Sequence, residues 1–201
     1  MSERAIHLTA SVLLGYPDER LAEALPLLTR TVESLPPGEA ASRLSAFLAH
    51  VAATPLPRLA EHYVATFDLK RRCCPYLTYY TYGDTRKRGM ALLRFKHAFR
   101  TAGFEPVDGE LPDHLAVVCE LSARGGVEQA VRLLREHRAG VETLHRALEA
   151  EHSPYADVVA AVLATLPPAT GRERAAALRL AQEGPPMEQV GLEPYTAGGA
   201  R

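Results

Sequence analysis

The chain has almost no net charge, few cysteines and no long apolar run. Its 201 residues carry 23 Lys+Arg against 24 Asp+Glu, a formal net charge of −1. That balance gives no general pull toward nucleic acid or an anionic membrane; only a local basic patch could supply one. The three cysteines, at 73, 74 and 119, are odd in number and two are adjacent, so an even disulfide framework is not expected. Reduced thiols in a cytoplasmic protein are the simpler reading. No C-x-x-C partner or paired histidine set completes a tetrahedral zinc site. No apolar stretch reaches the roughly 18 residues needed to span a bilayer, so no stable membrane insertion is expected. "AIHLTASVLLGY" (5–16) has a signal-like shape, but His7 and two hydroxyls interrupt it and "PDER" comes next without a small-residue cleavage site. The paired glycines 125 and 126 do not form a G-x-x-x-x-G-K loop. Eight histidines lie scattered without a catalytic signature. No enzyme, cofactor or metal of its own is expected.

The bulk of the chain is ordinary globular material, 47% hydrophobic and 23% charged, enough to build a sizeable core. Prolines divide it into helix-sized pieces. Leu8, Val12 and Gly15 share a face over 4–15, and Leu21, Leu25, Leu28, Val32 and Leu35 form a stripe over 18–35. Pro26 inside that stripe predicts a kink or two shorter helices. Further stripes are Leu44, Phe47, Leu48 and Val51; then Leu59, Tyr63 and Phe67; then Leu92, Phe95 and Phe99, with Asp84 as the cap and Gly103 as the end. Leu115, Val118 and Leu121 mark a helix over 113–123, and Val131, Leu134, Val141, Leu144 and Leu148 mark one long helix over 127–150. Ser153-Pro154 predicts an N-cap followed by proline at the first helical position. Thr170-x-x-Glu173 reads as a capping box opening a last helix to about Gln182. "YLTYYTY" (76–82) favours a strand locally, but a lone strand has no partner in a helical chain, so tertiary context should override it. The expected fold is all-α: a single-domain helical bundle over 1–183. Residues 184–201, "GPPMEQVGLEPYTAGGAR", form a flexible Pro/Gly-rich tail in this reading, and their removal should change stability little.

The segment "CCPYLTYYTYGDTRKRG" (73–89) packs two cysteines, four tyrosines and three cations into one stretch. Cys74 beside Arg72 could have a lowered pKa, yet no general base can be assigned to it. Glu142-x-x-His145 and Glu149-x-x-His152 echo the ligand pairs of di-iron bundles. Both copies fall on one helix or its end, too far apart to share a metal pair, and a solvated polar face explains them. Lys70, Arg71, Arg72, Arg86, Lys87 and Arg88 flank stackable tyrosines, as in single-strand binders, although Asp68 and Asp84 sit in the same segment. The remaining reading is a wall of aromatic bodies with polar tips, edged by Asp68, Asp84, Glu110 and Asp113. Such a wall suits an amphipathic, partly cationic helical peptide laid in a groove.

Two motifs then stand together. "EHYVATFDLKRRCCPYLTYYTYGDTRKRG" (61–89) and "ELPDHLAVVCEL" (110–121), the latter carrying E-x-x-D-H at Glu110, Asp113 and His114, resemble the NarJ-type chaperones of respiratory nitrate reductase. These belong to the TorD/DmsD/NarJ family of redox-enzyme maturation proteins. "GYPDERL" (15–21) resembles that family's N-terminal helix pair, and the resemblance covers about residues 5–182. It implies a TorD-like helical chaperone that is not an enzyme. Such a chaperone binds the N-terminal peptide of the nitrate reductase alpha subunit and supports molybdenum cofactor insertion before membrane attachment. It implies molybdenum cofactor delivery proteins as further partners, and a monomer or homodimer. The client-peptide residues expected on this basis are Tyr63, Phe67, Asp68, Tyr79, Tyr80, Asp84, Arg86, Glu110, Asp113 and His114. A sister chaperone for another molybdoenzyme, and an all-α regulator using the basic loop on nucleic acid, stay open as alternatives. Asp113, coming after Leu111-Pro112, is expected to cap the next helix. Asp113→Asn should then weaken a cationic client several-fold and leave stability nearly intact. For His114 the helix dipole and the two carboxylates oppose each other, so sequence gives no direction of pKa shift.

Overall fold

A computed structural model describes residues 2–105 and 109–186. Among these residues there are eleven α-helices and no strand: α1 Ser2–Leu13, α2 Glu19–Glu33, α3 Glu39–Ala53, α4 Leu56–Tyr63, α5 Leu77–Tyr82, α6 Lys87–Thr101, α7 Leu115–Arg124, α8 Val127–Glu136, α9 Arg138–Ala150, α10 Tyr155–Thr165 and α11 Gly171–Glu183. The fold is all-α, as the periodicity implied. No helix among the described residues is long and apolar enough to cross a membrane. The expected tail falls largely on 187–201, outside the described residues.

Helix α10 occupies the centre. Val158, Val159, Ala160, Ala161 and Val162 are all buried, and a helix apolar on every side must be enclosed. It packs against α1, α3 and α9; α1 also packs on α7, and α11 on α9. Between α1, α7 and α10 sits a polar tie. His7 is fully buried and its two ring nitrogens lie 2.7 Å from Ser122 Oγ and 2.9 Å from Thr165 Oγ1. Both nitrogens are therefore satisfied without a net charge, and burial pulls the imidazole down to about 4.

An aromatic cluster braces the other side of α10. Tyr155 lies 4.9 Å from the Phe47 ring, 4.9 Å from Phe67 and 5.9 Å from Tyr63, and stacks on His62 at 5.8 Å. The chain reaches it by a change of helical pitch. The helix marked by Leu59, Tyr63 and Phe67 ends at Tyr63 and continues as a π-turn over Val64–Asp68, which keeps Thr66 and Phe67 buried. A single π-turn of this kind adds one residue to the turn and re-aims the chain beyond it.

Several local expectations are corrected. On α1 the buried side chains are His7, Thr9, Ala10 and Leu13, with Leu14 next, while Leu8 is 47% exposed; histidine, threonine and alanine diluted the apolar pattern there. Helix α2 runs unbroken through Pro26. Asp84 does not cap α6, whose N-cap is Arg86 without a side-chain bond; Asp84 pairs instead with Arg71 at 2.7 Å and Arg88 at 3.5 Å. The long helix over 127–150 is two, α8 and α9, broken at His137. That break lets Gly140 come against Tyr80, where a Cβ would sit 2.9 Å from the Tyr80 Cβ. Ser153 gives its hydroxyl to a 2.9 Å bond with His62 rather than to the α10 amides. The capping box at Thr170 and Glu173 is present as read. "YLTYYTY" keeps one trace of strand character, an antiparallel bridge between Tyr76 and His114, before coiling into α5. Helix α5 ends at Gly83, whose φ is +56. A Cβ there would lie 1.7 Å from the carbonyl oxygen of Pro186, so the chain just after α11 rests on this glycine.

The His7 tie makes stability pH-dependent in a defined direction. Its folded-state value of about 4 lies below the ordinary 6.5, so between those values the unfolded chain binds the extra proton. Stability is full above pH 6.5 and falls as pH drops toward 4. By pH 4.5 this group alone should cost about 2 kcal/mol. His7→Gln, which can bridge both hydroxyls but cannot titrate, should lose correspondingly less between pH 7 and 4.5 in urea denaturation. Equal losses in the two proteins would contradict the assignment.

Candidate functional site

The two sequence motifs meet in space and pin each other. Leu111-Pro112 holds the chain extended as it approaches α7, so its backbone can pair with 75–77. Leu115 N–H donates to Pro75 O at 3.0 Å, and Leu77 N–H donates to Asp113 O at 2.9 Å. Asp113, fully buried, directs its carboxylate at Thr78, accepting from the Thr78 N–H at 3.1 Å and from its hydroxyl at 2.5 Å. Arg88 closes the network. Its guanidinium lies 3.7 Å from the Asp113 carboxylate, donates to Thr78 Oγ1 at 3.1 Å, and stands 5.5 Å from the centre of the Tyr76 ring. An arginine and two hydrogen-bond donors compensate the lost hydration at Oδ2, while Oδ1 is buried without a hydrogen-bond partner among the described residues. Asp113 is therefore not the cap of α7. His114 takes that position, its Nδ1 accepting from Ala116 N–H at 3.1 Å.

The rest of the E-x-x-D-H motif serves the same segment. Glu110 accepts from the Tyr76 hydroxyl at 2.9 Å and from Leu111 N–H at 2.8 Å. The buried His114 ring meets Tyr76 edge-on at 5.1 Å. Burial lowers the His114 pKa and outweighs the opposing pull of Glu110 and Asp113, which supplies the direction that sequence left open. An Nδ1 accepting from a backbone amide fits the neutral imidazole. The Tyr76 phenol is raised, first by burial and then by Glu110, so Tyr76 is a hydrogen-bond donor at all ordinary pH. Burial likewise raises Cys74 to about 11, so the low-pKa nucleophile contemplated for it is not what the structure builds.

The expected site residues separate into three places. Glu110, Asp113 and His114 come together in the clamp. Tyr63, Phe67 and Tyr80 are buried: Tyr63 and Phe67 in the Tyr155 cluster, and Tyr80 with its hydroxyl donating to Arg72 O at 3.1 Å. Asp68, Asp84 and Arg86 are exposed, and Tyr79 is half-buried against Tyr80. Arg88 was read only as one of the cations flanking the tyrosines; Thr78 was not singled out, nor was Tyr16, which lies 57% exposed at 5.5 Å edge-on to Tyr63. Thr78 and Arg88 belong to the quoted motifs, and a threonine and an arginine ten residues apart carry no helical signature that would mark them as partners.

The Tyr63 phenol is pushed up to about 12 by burial and then by Asp68 and Glu110, so both carboxylates border its face. Tyr16, edge-on to this ring, is exposed, and so are Leu69 and Leu111, the sequence neighbours of the two carboxylates. The cations of the segment are largely answered: Lys70 and Arg72 both reach Glu151, and Arg71 bonds Asp84. The exposed groups in and next to the motif segments thus include one aromatic ring, two leucines and two carboxylates.

The profile of the family described as "Nitrate reductase delta subunit" matches residues 33–161, a stretch that contains both halves of the clamp. The chain belongs to the nitrate reductase delta subunit family. Over 166 residues it is 33% identical to "Probable nitrate reductase molybdenum cofactor assembly chaperone NarJ" of Bacillus subtilis (strain 168), covering 82% of this chain and 90% of that one. Over 156 residues it is 41% identical to "Nitrate reductase-like protein NarX" of two Mycobacterium tuberculosis strains, CDC 1551 / Oshkosh and ATCC 25618 / H37Rv. That match covers 78% of this chain but 23% of each NarX protein. The resemblance carried by residues 61–89 and 110–121 is thus a family relation.

In this delta-subunit family member, burial of Asp113 changes what its substitution should do. Asp113→Asn keeps an oxygen for Thr78 but leaves Arg88 without its buried partner, and should cost about 2–3 kcal/mol rather than leave stability intact. Thr78→Val removes the hydroxyl from the same network. In urea denaturation the two changes should couple by more than about 1 kcal/mol. Additivity within about 0.3 kcal/mol would show that the carboxylate and the hydroxyl do not depend on each other.

Proposed function

We propose that this protein is a cytoplasmic assembly chaperone for nitrate reductase, and that it supports molybdenum cofactor insertion by holding the N-terminal segment of the catalytic alpha subunit. The coarse part of this reading, a molybdenum cofactor assembly chaperone, rests on family membership and on the likeness to the Bacillus subtilis assembly chaperone, which this chain matches along most of its length. The finer part rests on one observation. The clamp spends Asp113 and His114 on fixing the tyrosine segment, and leaves Tyr16, Leu69 and Leu111 exposed beside Asp68 and Glu110.

That combination suits a short amphipathic helix with an apolar face and one or more cations. The aromatic bodies supply area at low entropic cost, and the carboxylates select the cationic edge. Binding should be of micromolar order, about −8 kcal/mol. In this reading Asp113, His114 and Arg88 position the surface, and Asp68, Glu110 and Tyr16 touch the peptide.

Calorimetric titration with a synthetic peptide from the N-terminus of the client alpha subunit tests this directly. A negative heat-capacity change is expected. Glu110→Gln, which still accepts from Tyr76, and Asp68→Asn should each weaken binding several-fold, with the melting temperature unchanged and with less dependence on salt than the parent. Absence of heat at high protein concentration, or affinity indifferent to both substitutions and to Tyr16→Ser, would place the peptide elsewhere or exclude it.

A further inference from the structure

The outer face of α6 is unlike the rest of the surface. Its fifteen residues, KRGMALLRFKHAFRT, include five Lys or Arg and no Asp or Glu, in a chain whose overall charge is close to zero. The helix packs inward through Ala91, Phe95, Ala98 and Phe99, against α5 and α8. At about 100° per residue, Met90 and Leu93 then fall on the outward side, with the exposed His97 between them in angle. They are 67% and 54% exposed. Lys87 and Arg94 fall on one flank of that ridge; Lys96 and Arg100 fall on the other. All four are exposed, and none makes an ion pair among the described residues. The neighbouring acids do not answer them: Asp84 is engaged by Arg71 and Arg88, and Glu136 on α8 faces Arg132.

We propose that α6 is a peripheral docking face for an anionic phospholipid bilayer, with Met90 and Leu93 entering the headgroup boundary and Lys87, Arg94, Lys96 and Arg100 meeting lipid phosphates on both sides. Charge complementarity and geometry point the same way. An apolar ridge flanked on two sides by unpaired cations matches a flat surface that is apolar beneath and anionic at the level of the flanks. An acidic groove would use the cations but would gain little from an outermost methionine and leucine. Long lysine and arginine side chains can lie along the ridge and lift their charges to the phosphates. Two apolar residues make this a reversible contact, not insertion. The face is separate from the clamp and does not depend on the chaperone reading.

The test is co-sedimentation of the full chain with vesicles of phosphatidylcholine, with and without about 30% phosphatidylglycerol, over a salt series. Binding to the anionic vesicles, weakening steeply as salt rises, is expected, with little binding to the neutral ones. Arg94→Glu with Lys96→Glu should lower partitioning at least about tenfold, since each cation near such a surface is worth roughly fivefold. Met90→Ser with Leu93→Ser should lower it at constant salt dependence. Melting temperature and helicity serve as folding controls for every variant. No binding to anionic vesicles overturns the proposal. So does binding to soluble polyglutamate or a DNA oligonucleotide as tight as to vesicles and indifferent to Met90→Ser with Leu93→Ser, which would assign the face to an acidic protein or to nucleic acid.

Discussion

A carboxylate with no access to water governs the region of this molecule where residues 75–88 meet 110–115. Asp113 is fully buried, and a buried charge must be answered by partners or it unfolds its surroundings. Here the partners are Thr78, twice, and Arg88, contributed by the segment and helix that precede it by 35 and 25 positions. The carboxylate can therefore be accommodated only if the segment around α5 is folded against 110–115. Tyr76, Glu110 and His114 are carried along with it, and the exposed surface beside Tyr63 inherits its shape from that arrangement.

The scaffold behind the clamp works by a different logic. Helix α10 is enclosed by apolar packing, with Tyr155 joined to Phe47, Tyr63 and Phe67 on one side and the His7 tie on the other. The π-turn at Val64–Asp68 links the two regions. It buries Phe67 in the scaffold and leaves Asp68 at the margin of the outward face. Burial and exposure thus fall on adjacent residues of one short turn.

The legible parts of the sequence were those where local pattern and tertiary packing agree. Leu44, Phe47, Leu48 and Val51 are buried as their spacing implied, and Thr170 and Glu173 form the box that their types imply. Helix α1 misled because its buried face is made of His7, Thr9, Ala10 and Leu13, which no apolar count selects. The break at His137 was hidden because apolar residues continue in near-register across it. Asp113 was the sharpest case. An aspartate after proline before a helix reads as a cap, yet the adjacent His114 caps and Asp113 turns to a threonine 35 positions earlier. Nothing local distinguishes the two outcomes. The motif residues were visible as a set, but which of them hold the fold and which face outward is a property of the packing.

Native-state amide exchange tests the clamp most directly. The N–H groups of Leu77, Thr78 and Leu115 each cross between the two motif segments. They should exchange with a common opening free energy, below that of the α10 amides, which report the global limit. Adding the client peptide should raise the protection of all three together. Independent exchange of Thr78 and Leu115, with the peptide protecting one and not the other, would show that the segments are not clamped as a unit and would contradict the central claim.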